Sequence, residues 1–66
     1  MNRDELRAEI ARKNIPKNRI AKELSISSTS LSLKMSGARE FKETEIRKLV
    51  EVLALTPDDV QRIFLS

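Results

Sequence analysis

The chain has 66 residues, 39% of them hydrophobic, a length that suits one small domain. Thirteen basic and ten acidic residues give a formal net charge of +3, and Cys and His are both absent. Without cysteine the protein can form neither disulfides nor thiolate metal sites, so we expect helix packing to provide its stability. One Gly and two Pro among many helix-favouring residues predict an all-α fold.

The N-terminus is charged from Arg3 onward, and apolar runs are short throughout the sequence. None approaches the roughly 18 apolar residues of a membrane span, and none forms the apolar core of a signal peptide. The sequence therefore predicts a soluble, cytoplasmic protein with no membrane partner.

Positive charge is concentrated in the middle of the chain. Residues 12–39 contain seven basic residues and one acid, a net charge of +6, whereas residues 40–66 contain four basic residues and six acids, a net charge of −2. An anion-binding surface requires such a concentration of charge. A solvated basic face with no ligand is the alternative interpretation.

Capping patterns mark where the helices begin. Asn2 is followed by Glu5 and Thr56 by Pro57 and two acids, both patterns typical of a helix N-terminus. Ser27 is a suitable cap, whereas Lys42 is a poor one. With breaks at Pro16 and Gly37, these signals predict five helices, over residues 3–13, 17–24, 28–36, 43–53 and from 57 onward.

Apolar periodicity predicts the core. The side chains expected inside repeat at one-turn spacings or occupy staple positions beside the caps. They are Leu6, Ile10, Ile20, Leu24, Ile26, Leu31, Met35, Ile46, Leu49, Val50, Leu53 and Val60. The same periodicity argues against reading residues 25–32, which are rich in serine, as a flexible linker.

Two short helices joined by a three-residue turn, within residues 17–36, form a helix-turn-helix pattern. The spacing of Ala21, Ile26 and Leu31, together with the flanking helices, resembles the phage Cro and repressor type, and the resemblance covers nearly the whole chain. It implies a compact five-helix lambda-repressor-like DNA-binding domain in a bacterial host cell. Family members usually have glycine in the turn where this chain has Ser25.

The resemblance implies a transcriptional regulator that inserts its third helix into the major groove of double-stranded operator DNA. The base-facing positions would be Ser28, Thr29, Ser32 and Leu33. The phosphate-facing positions would be Lys17, Asn18, Arg39 and Lys42. None of the base-facing residues is Arg, Lys, Asn or Gln, the types that make bidentate base contacts, so we expect weak base readout.

An apolar Leu33 on the outward face also fits an alternative function, an interaction module of the same fold that binds and modulates a partner repressor. A homodimer formed through Ile63, Phe64 and Leu65 is a further expectation, because one helix can turn only part of this apolar run inward. The chain could also be a domain of a longer regulator.

Catalysis is not expected from this sequence. His, Cys, Tyr and Trp are absent and the acids are spread along the chain, so no general base or nucleophile pair is evident. The adjacent acids Asp58 and Asp59 are better explained by the positive end of a helix than by a metal. We therefore expect neither a metal nor a cofactor.

Overall fold

Five α-helices make up the secondary structure of residues 1–65, the part of the chain that this computed structural model describes. No strand occurs within these residues, so the all-α prediction is confirmed. The helix bounds agree with the predicted ones, except that the second and fourth helices each end one residue earlier than predicted. No helix within residues 1–65 could span a membrane by length and hydropathy. The helices are α1 (Arg3–Lys13), α2 (Lys17–Glu23), α3 (Ser28–Ser36), α4 (Glu43–Val52) and α5 (Pro57–Phe64).

Three helices begin at the predicted side-chain caps. Asn2 and Ser27 accept hydrogen bonds from backbone N–H groups three residues on, at 3.1 and 3.0 Å. Thr56 and Asp59 exchange two such bonds. The hydrogen bond from the Thr56 backbone, together with those from the Arg62 and Thr56 side chains, lowers the pKa of Asp59 from 3.8 to about 2. The start of α5 is thus held by an ionised carboxylate.

Each of three helices ends in a residue with left-handed backbone that is not glycine: Asn14, Ser25 and Ala54, with φ of 57°, 58° and 50°. The apolar residue that follows donates its N–H to a carbonyl five residues back and packs against the core. These following residues are Ile15, Ile26 and Leu55. This arrangement resembles a Schellman cap, in which a hydrophobic contact accompanies the hydrogen bond. Ser25, one of the three, occupies the turn between α2 and α3.

The core contains most of the predicted side chains, with four exceptions. Ile26, Ile46, Val50 and Val60 are only half-buried. Ala21, Phe41 and Ile63 are buried instead. Phe41 escaped the prediction because it lies outside the predicted helices. Ile63 stands at i+3 in the repeat of Val60, Ile63 and Phe64, but from the sequence it was assigned to the dimer surface. The buried set is Leu6, Ile10, Ile20, Ala21, Leu24, Leu31, Met35, Phe41, Leu49, Leu53 and Ile63.

The burial of Ile63 corrects the dimer surface expected at the end of the chain. Ile63 is fully buried and cannot take part in a contact between chains, and Phe64 is half-buried against the core. Leu65, with 75% of its surface exposed, is the member of the trio that remains outside. The end of α5 therefore fastens this helix to its own domain.

Ionic contacts also fasten α5 to α1. Glu9 is buried on α1, with 2% of its surface exposed, and pairs with Arg12, Lys13 and Arg62. Glu5, also on α1, pairs with Arg62 as well. The Asn2 N–H donates to the carbonyl of Ile63 at 2.6 Å, which closes the same interface. The first and last helices are thereby joined.

The left-handed backbone at Ala54 predicts that Ala54→Gly stabilises the protein. A residue with a Cβ loses about 1–2 kcal/mol in this conformation, part of which the greater freedom of glycine in the unfolded chain offsets. We expect a gain of about 0.5–1 kcal/mol in the free energy of unfolding, measured by denaturant titration. The matched control is Ala8→Gly, an exposed helical position of α1, where the same change should remove about 1 kcal/mol. Destabilisation of similar size at both positions would contradict the prediction.

Candidate nucleic-acid interface

The candidate interface is built on the connection between α2 and α3. After Leu24 the chain reverses at Ser25, and the N–H of Ile26 donates to the carbonyl of Ala21 at 3.0 Å. Ala21 is buried at 3% exposure, and its small side chain allows α2 and α3 to approach closely. The two helices are thus joined as one packed unit, with the first turn of α3 at the surface.

The outer face of α3 carries free hydroxyl groups. Ser28, Thr29 and Ser32 are exposed, and within residues 1–65 their hydroxyls make no hydrogen bond. By contrast, Ser30 bonds to the capping Ser27 and Ser36 donates to the carbonyl of Leu33. Three of the four predicted base-facing side chains therefore point outward with donors and acceptors unused.

Leu33, the fourth predicted base-facing residue, is half-buried rather than fully outward. It does not belong to the half-buried side chains that pack against the core, which include Ile26 and Ile46. Leu33 thus lies beside the hydroxyl face with part of its aliphatic surface accessible.

Charged side chains from α1 and α4 fix the C-terminal half of α3. The Lys34 ammonium donates to both carboxylate oxygens of Glu45 on α4, at 2.6 and 2.5 Å, and both residues are 6% exposed. From α1, the Arg3 Nε donates to the carbonyl of Lys34 at 3.0 Å and Arg7 to that of Met35 at 3.0 Å. These contacts determine which face of α3 is left for solvent.

The same ion pair sets the charge state of Glu45. Burial raises the pKa of this carboxyl. Hydrogen bonds from the Lys34 side chain and the Lys42 N–H, together with the positive charges of the two lysines, have a larger combined effect, so the pKa lies below its ordinary value of 4.5. Glu45 therefore contributes stability that is present above its unfolded pKa and is lost as the pH falls below it.

Two of the residues predicted to contact phosphate, Arg39 and Lys42, follow α3 in the chain. Gly37 ends the helix with φ of 93°, and the N–H of Arg39 returns to the carbonyl of Leu33 at 3.2 Å. Lys42 caps α4, with its N–H bound to Glu45 at 2.7 Å. Backbone hydrogen bonds thus hold both residues near the C-terminal half of α3, while their side chains are exposed.

The other two predicted phosphate contacts, Lys17 and Asn18, are exposed in the first turn of α2. Lys17 lines an apolar groove of about 490 Å³ together with Pro16, Arg7 and Met35. Since Met35 belongs to α3, the start of α2 and the C-terminal part of α3 border the same groove.

Ion pairing divides the basic residues into two groups. Within residues 1–65, eight of the thirteen lysines and arginines pair with an acid, and these lie on α1, α3, α4 and α5. The other five form no salt bridge in this part of the chain and are all exposed: Lys17, Arg19, Lys22, Arg39 and Lys42. The candidate interface therefore carries cations whose ammonium and guanidinium groups are not engaged in salt bridges.

Arg19 and Lys22 were missed as site residues by the sequence interpretation. The signal was present, because both contribute to the +6 charge of residues 12–39. What the sequence could not show is that Arg12, Lys13 and Lys34 in the same segment form salt bridges with Glu9 and Glu45.

The available groups suit binding. Ammonium and guanidinium groups attract anions, and hydroxyls can donate or accept hydrogen bonds. Within the described residues, no group of three or more His, Cys, Asp or Glu side chains could hold a metal ion.

The chain belongs to a protein family described as a protein of unknown function (DUF739), whose sequence model matches residues 3–66. No curated protein and no solved structure matches the chain.

The buried pair predicts that Lys34→Met unfolds much of the protein at neutral pH. Removing one partner of a buried ion pair typically costs about 3–5 kcal/mol, and a domain of this size has about 3–10 kcal/mol of stability. Helical circular dichroism and denaturant titration measure the loss. Because the orphaned Glu45 carboxyl becomes easier to protonate, the deficit relative to the wild type should shrink at acid pH.

The rescue variant is Lys34→Met combined with Glu45→Gln. It removes both charges, while the glutamine oxygen can still accept the Lys42 N–H bond, so most of the lost stability should return. A double variant no more stable than Lys34→Met alone would show that the charge of Glu45 is not the cause.

Proposed function

We propose that this member of a family of unknown function is a DNA-binding transcriptional regulator of the Cro and repressor type. In this proposal α2, the turn at Ser25 and α3 act as a helix-turn-helix, with α3 in the major groove of double-stranded operator DNA. The family match leaves the activity open, and the proposal depends on the charge and geometry of the surface.

The observation that carries the proposal is the position of the unpaired cations. Phosphate contacts supply much of the affinity of proteins for DNA, and each requires a cation that is free to displace a counterion. The five cations that form no salt bridge within residues 1–65 lie on α2 and in the segment after α3. They therefore flank the exposed hydroxyl face on both sides in the chain.

The proposal assigns each side of the interface a role. Lys17 and Asn18 at the start of α2 contact the DNA backbone on one side of the groove, and Arg39 and Lys42 contact it on the other. Arg19 and Lys22 add positive potential on α2. Ser28, Thr29, Ser32 and Leu33 face the base edges.

A second function, binding to a partner repressor protein, is favoured by one observation. Leu33 is aliphatic, partly accessible and not packed against the core. A leucine at a protein contact would bury apolar surface there, whereas serine and lysine side chains are depleted at such contacts. The DNA titrations below separate the two functions, because the affinity of a protein-binding module for its partner is not expected to depend on all the free cations.

Pairing of two domains on DNA also belongs to the proposal. With Ile63 buried, the contact would have to use Leu65 and the accessible part of Phe64. Paired helix-turn-helix domains protect two half-sites about one helical turn apart. Protection of a single half-site by a monomer at high concentration would contradict the pairing of two domains and would leave the DNA-binding proposal in place.

The free cations predict the effect of charge removal on DNA binding. Lys17→Ala and Arg39→Ala should each weaken binding to all duplex sequences alike and reduce the slope of log affinity against log salt by about 1. Fluorescence anisotropy with labelled duplexes over a range of salt measures both quantities.

Arg47→Ala provides the matched control. Arg47 is also exposed and its loss changes the net charge equally, but Glu43 already neutralises it at 2.7 Å. Its removal should leave the salt slope unchanged. Equal weakening of DNA binding by all three variants would show that net charge alone accounts for the effect. An affinity for DNA that does not change with salt concentration would contradict the proposal.

A further inference from the structure

The long polar side chain of α3 is turned away from its outer face. Lys34 is the one residue of α3 with a long polar side chain, and its ammonium is buried against Glu45. It therefore cannot reach a base edge without breaking the ion pair. What remains accessible is the three exposed hydroxyls and, beside them, the half-buried Leu33, and no group for bidentate readout.

Two of the remaining side chains carry methyl groups and lie one helical turn apart. Thr29 and Leu33 are separated by four residues and so share a face of α3. Four residues advance a helix by about 6 Å. Two base steps of duplex DNA advance by about 6.8 Å at about 3.4 Å each.

Thymine is the base that matches this chemistry. Its 5-methyl group lies in the major groove, where Thr methyls and aliphatic side chains contact it. The hydroxyls of Ser28 and Ser32 accept or donate to any base, so they add affinity and little selection. Methyl contacts are then the largest source of sequence preference on this face.

Building on the proposed DNA-binding function, we infer that α3 selects duplexes by their thymine methyl groups, which Thr29 and Leu33 contact about two base steps apart. The target class is a thymine-containing major groove recognised through apolar contacts. The discrimination per position is smaller than that of a bidentate arginine or glutamine contact.

The test begins by selecting preferred duplexes from a random pool with the wild-type chain. Each thymine of the preferred duplex is then replaced by uracil, which removes the methyl group and leaves Watson–Crick pairing unchanged. Burial of one methyl group corresponds to about a fourfold change in affinity. We therefore expect one or two thymine positions at which a single uracil substitution weakens binding about threefold to fivefold.

Two variants locate the methyl contacts on the protein. Thr29→Ser removes a methyl group and keeps the hydroxyl, and Leu33→Ala shortens the aliphatic side chain. Each should abolish the uracil effect at one position and leave it at the other. Ser32→Ala, which removes a hydroxyl from the same face, is the control and should preserve both uracil effects.

The outcomes separate this inference from the proposed function. Salt-dependent duplex binding without any uracil effect, or selection that enriches no sequence, overturns methyl readout and leaves DNA binding standing. Uracil effects that persist in both Thr29→Ser and Leu33→Ala also overturn it. Absence of binding to every duplex at low salt overturns the inference together with the proposed function.

Discussion

The buried contact between Lys34 and Glu45 is the interaction on which the arrangement of the surface depends. It connects α3 to α4 over two short hydrogen bonds, and the same carboxylate accepts the N–H of Lys42 at the start of α4. A lysine and a glutamate in a low-dielectric interior stabilise the fold only as a pair. The rotation of α3 is thereby constrained, because any large turn of the helix would separate the charges.

This constraint has two consequences for the surface. It removes the long cation of α3 from solvent, which leaves short hydroxyls and Leu33 on the outer face. It also holds Lys42, and through the C-terminal turn of α3 also Arg39, at one end of the candidate interface. The charge of the interface therefore comes from residues beside α3, which favours phosphate contact over base readout.

Ion pairs between α1 and α5 also affect the distribution of positive charge on the surface. Glu9 alone faces three cations, and Arg62 bridges α5 to α1. These pairs hold the first and last helices together, and they also engage Arg12 and Lys13 of α1 in salt bridges. The uncompensated positive potential is left on α2 and after α3, a pattern that would steer a polyanion toward that side.

The local sequence alone was sufficient to predict the helices. Caps at Asn2, Ser27 and Thr56, the break at Pro16 and the stop at Gly37 act within a few residues, so the helix bounds could be predicted without knowing the tertiary structure. The outward positions predicted for α3 were Ser28, Thr29, Ser32 and Leu33; the three hydroxyl residues are exposed, and Leu33 is half-buried.

Contacts between distant residues were decided only by the tertiary structure. Burial of Ile63, pairing of Lys34 with Glu45 and of Arg62 with Glu9, and the half-burial of Leu33 each depend on which helices meet. A charge count sums all cations equally, whereas the fold neutralises some and leaves others free. Helix starts were predictable because capping is local, and the charge pattern of the interface was not, because ion pairing depends on the packing of the helices.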